Sequence, residues 1–125
     1  MSPPRHCNPR QIQFMNRARI VALRSTCHSH QHGCVIVRDD EIIAEGFNHT
    51  RTRLFHKFSV HAEVDALSKL PHNRTFLSKC DMYVVRIGTL GMGLPIKFSK
   101  PCVSCATAIL KSGIRRVFYA GIQAE

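Results

Sequence analysis

Apolar and polar positions follow two different periods along this chain. From Asn8, the residues Ile12, Met15, Ala18 and Ala22 recur at three- and four-residue steps, the period of a helix with one buried face. Asn8 followed by Pro9 supplies an N-cap and a first helical residue, so a helix is predicted from Pro9 to about Leu23. The polar stretch Ser25 to Gln31 interrupts it. Gly33–Arg38 (GCVIVR) and Glu41–Asn48 (EIIAEGFN) are short apolar runs joined by Asp39-Asp40, which predicts a hairpin. Thr50 to Phe58 is basic and aromatic and reads as a loop. Val60–Leu70 (VHAEVDALSKL) returns to the helical period, with Val60, Val64, Leu67 and Leu70 on one stripe. Asp81–Ile87 (DMYVVRI) is the next predicted strand, and the glycines and proline between Gly88 and Lys100 predict a loop. Cys102 to about Ser112 is helical by pattern, closed by Gly113, and Ile114–Ala120 (IRRVFYA) is the last strand. The order α-β-β-α-β-α-β predicts an α/β fold: a mixed sheet with an N-terminal β-hairpin and helices on its faces.

Composition narrows the class. The 125 residues suit a single domain, and 44% hydrophobic with 21% charged residues is a globular balance. No apolar run approaches the ~20 residues of a membrane span, and the opening MSPPRHCNPR has no apolar core of a secretion signal. An intracellular protein, cytoplasmic or nuclear and without a membrane partner, is therefore expected. In that setting the six cysteines read as thiols or metal ligands, not disulfides. The net charge of +10 is spread evenly: residues 1–60 and 61–125 each carry nine Lys/Arg against four Asp/Glu. Such a balance suits a phosphate-bearing partner.

Two helix starts carry chemistry. Cys102 and Cys105 open one predicted helix at a spacing that lets two thiolates share one zinc ion, and His61 opens another. Both helices are predicted to follow strands, so their N-termini can meet at one edge of the sheet. Three protein ligands leave one position for water, the arrangement of catalytic zinc sites; zinc then brings the pKa of that water to ~7. Glu63 lies two residues beyond His61, within reach of such a water without ligating the metal. His-x-Glu followed by Pro-Cys-x-x-Cys is the pattern of zinc nucleobase deaminases.

Over roughly Gln31 to Ala120 the chain resembles the cytidine/deoxycytidylate deaminase superfamily. The matching pieces are HGCVIV before a charged turn, EGFN ending at Asn48, HAE at His61–Glu63, and PCVSCATAIL followed by GIRRVFYA. The resemblance implies a three-layer α/β/α fold and one catalytic zinc held by His61, Cys102 and Cys105. It implies Glu63 as proton shuttle, Asn48 on the sugar and the Ala62 backbone N–H on the base. Water would attack C4 of cytosine while Glu63 protonates N3 and then the departing amine, leaving uracil and ammonia. Transfer-RNA adenosine deaminases usually carry Glu and Met where this chain has Lys100 and Ser104, and the CATAIL run looks closer to the deoxycytidylate branch. That branch usually has Asn where this chain has Asp65, and Gly where it has His49.

The leading expectation is hydrolytic deamination of a free cytosine nucleotide or nucleoside, dCMP to dUMP first, by a homo-oligomer. Arg51, Arg53 and Lys57, between Asn48 and His61, are expected at the site mouth, where one could hold a 5′-phosphate. The same basic loop, with Phe55 and Phe58, also suits a cytosine (or, less well, adenine) deaminase acting on single-stranded DNA or RNA. A non-catalytic zinc-stabilised nucleic-acid-binding module is the third reading; the intact Glu63 argues against it. The run His28, His30, His32 between Cys27 and Cys34 raises a second metal site, with a solvated loop as the simpler reading.

Overall fold

The computed structural model describes residues 8–27, 30–88 and 103–123. The first helix, α1, spans Pro9–Ala22. Its start is a capping box: Asn8 Oδ1 accepts from the Gln11 N–H at 2.8 Å, and Gln11 Oε1 accepts from the Asn8 N–H at 2.9 Å. Two strands follow, β1 (His30–Arg38) and β2 (Glu41–Phe47), antiparallel and joined at Asp39-Asp40. Both turn residues have positive φ, 51° and 64°, the twist that two-residue hairpins require. The strand starts at His30, so His30 to His32 belong to the sheet instead of a loop. His28 lies outside the described residues.

The segment expected to be a basic loop is a second hairpin, β3 (His49–Arg53) and β4 (His56–Val60). Its turn places Leu54 and Phe55 at φ 51° and 67°, a conformation that bulky side chains rarely adopt. This is why the sequence hides it: no glycine or asparagine announces the turn. The remaining elements are α2 (Ala62–Leu67), a short α3 (Arg74–Leu77), β5 (Cys80–Gly88), α4 (Val103–Ser112) and β6 (Arg116–Gln123). Gly113 ends α4 at φ 87°.

The four-stranded sheet has the order β2-β1-β5-β6, with β5 antiparallel to β1 and parallel to β6. It is the mixed sheet that the element order predicts. Strand alternation divides the core in two. On one face Val35, Val37, Tyr83, Val85 and Ile87 pack under α1 through Phe14, Met15, Ala18, Val21 and Ala22. On the other, Cys34, Ile36, Met82 and Val84 pack under α2 and α4 through Ala62, Ala66 and Ile109.

Both helix-to-sheet contacts are backbone-close, and each rests on a glycine opposite an Ala-x-x-x-Ala pair. A Cβ on Gly33 would sit 2.0 Å from the Ala18 carbonyl oxygen, and one on Gly46 would sit 2.4 Å from the Ala62 oxygen and the Ala66 nitrogen. This seating corrects the expected face of α2. The helix buries Ala62, Glu63, Asp65 and Ala66, whereas Val64 is 39% exposed. Leu67 and Leu70 of the predicted stripe do pack against the core under α2 and α4, while Val64 and Leu67 border a hollow of about 300 Å³ toward α3 and α4 that His61, Glu63 and Cys105 do not line. Among the described residues no helix is long and apolar enough to cross a membrane.

Candidate metal centre and substrate cavity

His61 is the N-cap of α2, extended at φ −80° and ψ 150°, and it makes no capping hydrogen bond with its side chain. The imidazole is therefore directed elsewhere. Its Nδ1 lies 2.9 Å from Sγ of Cys105, in the first turn of α4. Cys105 is 2% exposed. Two helix starts thus bring together, at one edge of the sheet, a nitrogen and a sulfur donor 44 residues apart in sequence. Cys102, the remaining expected ligand, lies outside the described residues.

Glu63 is carried by the same turn of α2 and is only 4% exposed. Its Oε1 is buried with no hydrogen-bond partner among the described residues. Burial pushes the carboxyl above its ordinary value, only partly opposed by its own backbone N–H and by His61. A buried carboxylate oxygen without a partner among the described residues, two residues from His61, is costly unless something polar or cationic completes it. The donor set, one imidazole and one thiol with a second thiol three residues before it in sequence, is that of a zinc ion, and the residues present fit it.

His61 opens into a cavity of about 330 Å³, at the lower end of the range for small-molecule pockets. Asn48, His30, His32, Ser59 and Arg86 share its lining. Asn48 already uses its amide structurally: Oδ1 accepts from the His32 N–H at 2.7 Å and Nδ2 donates to the His30 carbonyl at 2.8 Å. It ties the end of β2 to β1, while one amide hydrogen and one lone pair remain for a ligand. Asp65 makes a parallel brace. Its Oδ2 accepts from the Phe47 N–H at 3.1 Å, and Lys69 Nζ lies 3.8 Å from it. His32 is pushed down to about 4 by burial first, then by the charges of Arg86, His30 and His61.

Arg51 and Arg53 stand on β3. Arg51 is exposed and donates through Nε to Nε2 of His49 at 3.2 Å, while His49 Nδ1 pairs with the Phe47 carbonyl at 2.9 Å. Register places Thr50 opposite Ser59 and Arg51 opposite Phe58. Ser59 lines the cavity, so Arg51 belongs to the other face of the hairpin. Ala62 is buried at the first position of α2, where a helix leaves its backbone N–H without an intrahelical partner. Arg86, His30, His32 and Ser59 fall outside the set expected from sequence. For Arg86 a signal existed: it follows Met82 and Val84 at the two-residue spacing of one strand face, a charge in an inward row.

Comparison with known proteins meets this geometry. The family described as "Cytidine and deoxycytidylate deaminase zinc-binding region" matches residues 9–121. The ComE operon protein 2 of Bacillus subtilis is 28% identical over 120 residues, 86% of this chain and 57% of that protein. Deoxycytidylate deaminase of Saccharomyces cerevisiae is 28% identical over 129 residues, 86% of this chain and 36% of that protein. The chain thus spans little more than half, or about a third, of the length of these two relatives. Among solved structures, dCMP deaminase from the cyanophage S-TIM5 in complex with dCMP and dUMP superimposes with a TM-score of 0.65 at 20% identity. That match covers 95% of this chain and 86% of the phage protein. At that identity the likeness is one of fold.

Proposed function

The chain belongs to the cytidine and deoxycytidylate deaminase family, and from that premise we propose that it hydrolyses the exocyclic amine of a free cytosine nucleotide or nucleoside, dCMP to dUMP first. One observation carries the reading: His61 Nδ1 and Cys105 Sγ meet at 2.9 Å, and Glu63, two residues from His61, has a buried Oε1 with no hydrogen-bond partner among the described residues. His61, Cys105 and Cys102 would hold one catalytic zinc, and zinc at such a site makes water a nucleophile at neutral pH. Glu63 accepts the proton that water loses on attacking C4 and gives it to N3. A second proton passes through the same carboxylate to the amine, the C4–N bond breaks, and ammonia leaves. Burial suits Glu63 to this work, because withdrawal from water raises the carboxyl above its ordinary value and so favours its taking up a proton. The Ala62 N–H, which the helix start leaves without an intrahelical partner, meets the base and Asn48 meets the sugar, with the cavity supplying the room.

A second reading, action on a base within a single strand, has one observation in its favour. Phe55 is fully exposed at the tip of the hairpin whose Ser59 lines the cavity, on a chain of net charge +10. The test is a panel assayed side by side with zinc-loaded protein: dCMP, CMP, deoxycytidine, cytidine and a cytosine-containing oligonucleotide, with adenine controls. Turnover of dCMP, with ammonia released one for one, supports the first reading. Oligonucleotide turnover without any free-nucleotide turnover supports the second. No turnover of any cytosine substrate refutes both.

A further inference from the structure

The sheet face under α2 and α4 is apolar for most of its length, with Cys34 and Ile36 on β1 beside Cys80, Met82 and Val84 on β5. The two-residue period puts Arg86 next in that row, opposite His32 on β1. It therefore stands where the apolar face gives way to the His61 cavity, at the C-terminal end of β5. Its register partner on β6 is Gly121, which brings no side chain alongside it.

Arg86 is half-buried, and its Nη2 donates to His30 Nδ1 at 3.1 Å. Arg17 and Arg24 pair with Glu45, and Arg115 and Arg116 with Asp81. Arg86 has no carboxylate within ion-pair distance among the described residues. A guanidinium partly withdrawn from water, with a ring nitrogen of His30 as its acceptor among the described residues, has further N–H donors to offer an anion. His32 stays uncharged at neutral pH, which leaves Arg86 as the permanent cation among the described side chains of the cavity. Arg51, by contrast, lies on the hairpin face away from Ser59.

We propose that Arg86 anchors the phosphate of the substrate and so sets the preference for a nucleotide over a nucleoside. This rests on the deaminase reading and adds to it a positioning residue from β5, outside the family motifs. The guanidinium fork matches a phosphate in two parallel hydrogen bonds, whereas lysine offers a point charge.

The experiment compares wild type, Arg86→Met and Arg86→Lys, all zinc-loaded, on dCMP and deoxycytidine. The ratio of kcat/KM for dCMP to that for deoxycytidine falls roughly 10²-fold in the Met variant, mainly through KM, and by less in the Lys variant. A ratio that does not move overturns the proposal even if both rates drop, because damage to the fold lowers both alike. Calorimetric titration with dUMP and deoxyuridine gives a readout that needs no turnover. Wild type binds dUMP at least tenfold tighter and Arg86→Met loses that margin. If wild type deaminates neither compound, the deaminase reading fails and the anchor is judged on binding alone. Equal affinity of wild type for dUMP and deoxyuridine refutes it.

Discussion

Gly46→Ala tests how the fold positions the chemistry. The new Cβ would sit 2.4 Å from the Ala62 oxygen and the Ala66 nitrogen, where ordinary contact begins at 3.4 Å. Both atoms are backbone, so no side chain can swing aside; α2 must retreat from β2 by about 1 Å. Overpacking of this kind costs about 1–3 kcal/mol, which for a chain of this size lowers Tm by roughly 5–15 °C. Because α2 carries His61 and Glu63, the same retreat misplaces the acid–base group, and a 1 Å error costs about 10²-fold in rate. Gly33→Ala is the control. Its Cβ would press on the Ala18 and Ala22 backbone, but on the opposite face of the sheet, under α1. Thermal unfolding by circular dichroism and kcat/KM per folded molecule, measured well below both transitions, separate the effects. Both variants lose stability; only Gly46→Ala loses kcat/KM disproportionately. Equal losses in kcat/KM, or a Gly46→Ala protein as active and stable as the parent, would refute the claim that this glycine seats the site.

Glu63→Gln keeps the metal content of wild type and lowers kcat by roughly 10²–10⁴-fold, checked by elemental analysis and ammonia release on one sample. Acid destabilisation proceeds in two stages. His32 is held neutral with a folded pKa of about 4 against an ordinary 6.5, so the unfolded chain takes up the extra proton and stability falls as pH drops through that window. A urea-unfolding series from pH 8 to 4 shows this slope, and His32→Gln removes it. Burial raises the Asp81 carboxyl, but hydrogen bonds and charges from Arg115 and Arg116 outweigh it and hold the group below its ordinary 3.8. Its contribution is complete above that value and is lost as pH falls through the folded pKa; Asp81→Asn flattens the fall and costs about 1–2 kcal/mol at pH 7, a modest figure because both guanidiniums are half-exposed.

Much of this architecture is legible from local rules. The Asn8–Gln11 capping box, the Asp39-Asp40 turn and the Gly113 cap each sit where short-range chemistry puts them. The meeting of His61 with Cys105 follows from two helices that start at one edge of the sheet. What the pattern hides is long-range. The stripe Val60, Val64, Leu67 and Leu70 predicts one apolar helix face, but Val60 ends β4 and α2 runs only from Ala62 to Leu67. Yet close approach to Gly46 admits only small residues, so Ala62 and Ala66 face the sheet and draw Glu63 and Asp65 inward. The second hairpin turns on Leu54 and Phe55, residues that disfavour positive φ, and no turn chemistry betrays it. Asp65, which departs from the related branch, braces β2 through the Phe47 N–H.

The central claim is that His61 and Cys105 are two corners of a zinc centre completed by Cys102. X-ray absorption at the zinc edge of the purified protein tests it most directly. The account predicts one equivalent of zinc, with two sulfurs at about 2.3 Å and a shell of nitrogen or oxygen near 2.0–2.1 Å. Zinc-free protein, or a first shell without sulfur, would contradict it.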